Sequence, residues 1–163
     1  MRWLRRLDQW WMEPLSPYPL ALFRIVVGAF ALGYLIFWWP SMVSNAGFEP
    51  TQFEPAGIVS VLTEPLASWA VHPLLIGALI TGIAFTLGWR YTLTAPTFAL
   101  LLLWDLTYRN SWGQIFHTEN LLVLHIIVLA LSPAADAMSL DARRRSNNPS
   151  SGLIYGWPLR LCA

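Results

Sequence analysis

Four long apolar runs, separated by short polar or proline-rich breaks, organise this chain. The first, from about 19 to 39 (PLALFRIVVGAFALGYLIFWW), carries a single charge, Arg24. Some 20 residues rising about 1.5 Å each cover a hydrocarbon core of about 30 Å, so this run predicts a transmembrane helix. Further spans are predicted at about 73–89, 93–108 and 118–132, the second and third joined by the tight turn WRYT. Pro96 falls in the first turn of the third span, where a missing backbone N–H costs little. The fold class expected is all-α, a polytopic transmembrane bundle of four spans plus the start of a fifth.

The intervening segments read differently. Residues 1–18 are short, basic and aromatic, with no small-residue cleavage site before the first apolar run. They predict an amphipathic interfacial segment that turns Trp3, Leu4, Leu7, Trp10 and Trp11 to lipid. Residues 40–70 are rich in Pro and Gly and carry Glu49, Glu54 and Glu64 without a basic residue, which predicts an extramembrane loop. Within it, QFEPAGIVSVL and TEPLASWAV suggest short interfacial helices, the second capped by Thr63 with Pro65 at an early position. Residues 134–163 begin as a polar cytoplasmic linker and turn apolar at Leu153. That end is either an interfacial anchor on Trp157 or a fifth helix cut off near its start. The four-span domain thus occupies 19–133.

Composition strengthens the membrane reading. The chain is 56% hydrophobic and only 12% charged over 163 residues, more apolar surface than a soluble domain of this size can hide. Many of the ten tryptophans sit at the ends of the apolar runs, where an aromatic belt places indoles. A lone cysteine, Cys162, excludes an intrachain disulfide framework and a Cys-x-x-Cys redox pair. The net charge of +1 leaves no nucleic-acid footprint. Arg2, Arg5 and Arg6, then Arg90, then Arg143, Arg144 and Arg145 all fall on one side of a four-span layout. The positive-inside rule makes that side cytoplasmic, with the N-terminus inside and the protein in the inner (plasma) membrane, the lipid bilayer its first partner.

Polar groups inside a membrane helix are costly and by default functional or critical to packing. Arg24 can snorkel to the near interface, pair with a carboxylate such as Asp141, also near the inner face, or bind a ligand. Gly28, Gly33, Gly77, Thr81 and Gly82 would let neighbouring helices approach closely. At 100° per residue His117, Asn120 and His125 fall within roughly 140° of the fourth span, with Glu119 projecting elsewhere. Asp105 and Arg109 are four apart and can pair, with Tyr108 on the same side. A hairpin of the third and fourth spans would bring these groups into a polar pocket at the outer face. The pocket could hold a ligand or shuttle a proton, or it could be interhelical hydrogen bonding. The eight-residue separation of His117 and His125 matches no metal-ligand spacing, so no metal is expected.

Arg24-x-x-x-Gly28 in an early helix, Ser111-Trp112, His117, a long apolar helix and Ser139-Leu140-Asp141 occur here in that order. The pattern resembles the HTTM (horizontally transferred transmembrane) family, bacterial membrane relatives of the vitamin K-dependent gamma-carboxylase, and more remotely DoxX-like four-helix proteins. The resemblance covers nearly the whole chain, aligned to the N-terminal half of a longer membrane domain. It implies that His117 matches the family's W-x-x-H histidine, at a longer spacing from Trp112, and that the segment from Gly156 to Leu161 begins the next helix. It also implies a quinone or reduced vitamin K-like cofactor. In the carboxylases that next helix supplies a lysine base, whereas this chain contains no lysine. The expectation is therefore a member without carboxylase activity of its own, either the N-terminal portion of a quinol-using enzyme or a non-catalytic module for lipid or a partner membrane protein.

Overall fold

The computed structural model describes residues 14–113, 117–145 and 151–162. The interfacial segment expected at the N-terminus lies almost wholly outside them. Among the described residues the structure is helical throughout, apart from one isolated bridge between Leu15 and Gly152. Four helices form the body: α1 (Pro17–Ser44), α2 (Ser68–Leu87), α3 (Tyr91–Asn110) and α4 (His117–Ala130). Two short ones follow, α5 (Leu140–Arg143) and α6 (Gly156–Cys162). Helix α2 packs against α1 and α3, while α4 packs mainly on α3 and more lightly on α1.

Local chemistry sets the helix ends. Ser16 caps α1 through its hydroxyl, which accepts from Tyr18 N at 3.4 Å, and Pro17 occupies the first position, where its lost N–H is not missed. The helix runs through Pro40, five residues beyond the expected end. At the other end of the hairpin, Gly88 closes α2 in the left-handed conformation (φ 63°). A Cβ there would stand 2.4 Å from that of Ser139, so both the turn and the packing demand glycine. Arg90, also left-handed, then opens α3.

Two helices, Pro17–Ser44 and Ser68–Leu87, are long and apolar enough to cross a membrane. Helix α3 matches α2 in length but carries Thr92, Thr94, Thr97, Thr107, Asp105 and Arg109. Helix α4 has 14 residues, about 21 Å of rise.

Small residues divide into those that meet a neighbour and one that does not. A Cβ at Gly28 would lie 2.3 Å from Thr86 Oγ1, and one at Gly82 would meet Phe98 and Leu32, so α1, α2 and α3 approach through these positions. Gly77 faces Leu101. Gly33 faces open space, which corrects its expected packing role.

The 40–70 segment folds down over one end of the bundle. Of the two short helices expected there, QFEPAGIVSVL contains the 3₁₀ helix Gly57–Val61, while TEPLASWAV runs into α2 from Ser68 with Ala67, not Thr63, at the N-cap. Glu54 N donates to Ser111 O at 2.8 Å, Ala56 N to Ser111 Oγ at 3.1 Å and Leu66 N to Tyr108 Oη at 3.1 Å, which stitch the segment to the end of α3. Val59 and Phe53 are buried there. Glu49, Glu54 and Glu64 stay exposed, as solvated loop carboxylates should.

At the opposite end the C-terminal segment packs back on the body. Helix α6 lies against α4. Tyr155 Oη donates to Asp136 Oδ2 at 3.0 Å, and Arg145 pairs with Asp136 Oδ1 at 2.5 Å. Burial raises the Tyr155 phenol above its ordinary value, and the Asp136 hydrogen bond and charge push the same way.

Candidate functional site

The antiparallel packing of α3 on α4 brings the polar residues of both helices to one end of the bundle, but not the set expected. Glu119 is 1% exposed and forms a buried ion pair with Arg109. Tyr34, from α1, donates its phenol to Glu119 Oε1 at 2.7 Å and accepts from Arg109 Nη1 at 2.9 Å. The Arg109 guanidinium also lies 4.3 Å from the centre of the Trp38 ring, a cation–π contact. Three helices therefore meet on one charge pair.

The expected Asp105–Arg109 pair does not form. Asp105 is buried, and its Oδ2 has no hydrogen-bond partner. Arg109 has turned to the carboxylate across the helix interface. Tyr108 faces the folded 40–70 segment, accepting from Leu66 N and ringed by Phe53 and Trp112. Asp105, Tyr108 and Arg109 do share a cavity with Met42, Leu66, Val71, Leu74, Leu75 and Trp104, of about 10 Å³. That is room for about one water molecule.

The fourth-span residues are placed opposite to expectation. His117 and Asn120 are exposed, and the face that was expected to carry the pocket turns outward with Leu121 and Leu124. His125 lies on the seam between α1 and α4, donating from Nδ1 to Leu121 O at 2.6 Å beside the Phe23 ring. The buried stripe is Glu119, Leu122, Val123, Ile126 and Leu129. Its spacing of three and four residues starts at Glu119, which was the available signal that this carboxylate, and not His117 or Asn120, points inward.

At the other end, Arg24 is wholly buried and neither snorkels nor pairs with Asp141. Its guanidinium donates to Ala134 O at 2.8 Å and to Met138 O at 2.7 Å, tying the turn after α4 to α1. Asp141 instead accepts from Arg90 N at 2.9 Å and Tyr91 N at 2.8 Å, capping α3 from a distant part of the chain. Tyr91 Oη completes this end by donating to Leu129 O at 2.8 Å.

The chemistry that this arrangement supports is restricted. Among the described residues neither histidine of α4 is hydrogen-bonded to a carboxylate; His125 bonds to Leu121 O. Among the described residues no group of three His, Cys, Asp or Glu side chains could hold a metal ion. A quinone or reduced vitamin K-like molecule does not fit beside Asp105, because ligand sites of that kind run to about 300 Å³ or more and this cavity holds about one water. No family model, curated protein or solved structure matches the chain.

Proposed function

We propose that this chain is a non-catalytic, four-span module of the bacterial plasma membrane, with its N-terminus in the cytoplasm, of the kind the HTTM resemblance points to. The observation that carries the reading is an inside-out distribution of polarity. The ionisable side chains of the four helices' interior, Arg24, Asp105, Arg109 and Glu119, are buried, while large apolar side chains cover the outside of all four. Ile36 on α1 is 62% exposed, Ile80 on α2 62%, Leu100 on α3 65% and Leu124 on α4 57%. Large apolar side chains exposed on every helix are costly in water and are solvated by acyl chains.

This extends the membrane reading from two helices to four. Helix α3 is the least apolar of the four because it carries four threonines, Asp105 and Arg109, and of these Thr94, Asp105 and Arg109 are buried. The shortness of α4 is a mismatch that local thinning of the bilayer accommodates at modest cost. Orientation rests on charge: Arg90, Arg143, Arg144 and Arg145 gather at the Arg24 end, while exposed carboxylates crowd the 40–70 segment at the other.

Single-cysteine labelling in a Cys162→Ser background tests the proposal. Leu100→Cys and Leu124→Cys should resist a water-soluble maleimide in intact membranes, while Ser60→Cys should react from the periplasmic side. Labelling of the α3 and α4 positions as fast as Ser60→Cys would leave only two spans.

A further inference from the structure

Two apolar grooves flank the C-terminal end of α2 at the Arg24 end of the bundle. One, of about 470 Å³, is lined by Ile25, Thr86, Leu87, Met138, Leu140 and Arg143. The other, of about 350 Å³, is lined by Ile80, Ile83, Leu87, Trp89, Leu140 and Arg144. They share Leu87 and Leu140 and so adjoin, and each has an arginine of its own in its lining. The Arg90 guanidinium adds a third positive charge, stacked over the Trp89 ring at 5.6 Å.

We infer that this double groove is a binding site for one anionic glycerophospholipid, its phosphodiester between Arg143 and Arg144 and its two acyl chains in the two grooves. The inference rests on the four-span reading, which places this end at the cytoplasmic interface. Charge complementarity selects the headgroup. The carboxylates nearby are already engaged: Asp141 accepts from the amides of Arg90 and Tyr91, and Asp136 from Arg145 and Tyr155. A zwitterionic headgroup would bring an ammonium towards three arginines, whereas a phosphatidylglycerol-type headgroup brings only negative charge. Basic sites between helices on the cytoplasmic side select anionic lipids in this way. Trp89, 41% exposed, lies where an indole anchors at headgroup level.

The test uses the full chain reconstituted into vesicles of equal phosphatidylglycerol and phosphatidylcholine, with retained lipid identified by native mass spectrometry. The wild type should retain phosphatidylglycerol in preference, and R143Q/R144Q should lose the preference by about fivefold for each arginine. Ile83→Trp fills one groove with the charges intact and should weaken retention as well; it carries the test if the double variant does not fold. Equal retention of the two lipids by the wild type, or an undiminished preference in R143Q/R144Q, would overturn the inference. Failure of the wild-type chain to float with the vesicles at all would instead sink the four-span reading beneath it.

Discussion

The two ends of the bundle bury charge by different means. At the Arg109 end a cation meets an anion, Glu119, and a tyrosine from a third helix bonds to both. At the Arg24 end an arginine and an aspartate are both present and do not pair; each is spent on backbone groups left open where helices stop. The first arrangement holds three helices together where α3 ends and α4 begins. The second closes chain reversals, where carbonyls after α4 and amides before α3 would otherwise lie unsatisfied in an apolar setting. Opposite charges at one depth therefore do not imply a salt bridge.

That contrast can be broken at several points. The largest effect should come from removing one partner of the buried pair: Arg109→Met or Glu119→Leu alone leaves an uncompensated charge, and SDS-unfolding titrations should show a loss of about 3–5 kcal/mol. Arg24→Met should cost less, about 2–3 kcal/mol, because it orphans two carbonyls and leaves no bare charge. Arg24→Lys should rescue it only in part, since a single ammonium cannot reproduce the fork that reaches Ala134 and Met138.

Smaller changes sharpen the comparison. Gly28→Ala should lose about 1–3 kcal/mol against Thr86, whereas Gly33→Ala, facing open space, should lose nothing. His117→Ala and Asn120→Ala should stay within about 0.5 kcal/mol of wild type, as exposed substitutions do. The smallest effect concerns pH. Because the folded state raises the Tyr155 phenol, its contribution is complete below the ordinary tyrosine value of about 10 and is lost as pH rises through the folded value. Once the base-catalysed intrinsic rate at each pH is divided out, the hydrogen-exchange protection of α6 should fall in that alkaline range, and Tyr155→Phe should remove the fall.

The helices were legible in the sequence because apolar length and proline and glycine breaks are local properties. Their ends moved by one to five residues, and by two at the capped ends beside Ser16 and Gly88. The inward faces were harder to read. In a soluble helix Leu121 and Leu124 would be polar and would mark the outside; here they are as apolar as the buried Leu122 and Val123. The face of α4 was therefore assigned from its polar residues, and His117 and Asn120 pointed the wrong way. Tyr34 and Trp38 escaped notice because their role depends on α1 lying beside α3 and α4, a distance of 75 residues in sequence for the Tyr34–Arg109 bond. Asp141 was singled out as structural, and its partners are backbone amides, which no residue pattern reveals.

The central claim is that the buried polar groups hold the bundle together, and a double-mutant cycle on Arg109 and Glu119 tests it most directly. Arg109→Met, Glu119→Leu and the double variant would be unfolded in parallel. The account predicts that the double variant is more stable than either single one, with a coupling of about 1 kcal/mol or more. Additive losses, or single variants as stable as the wild type, would contradict it.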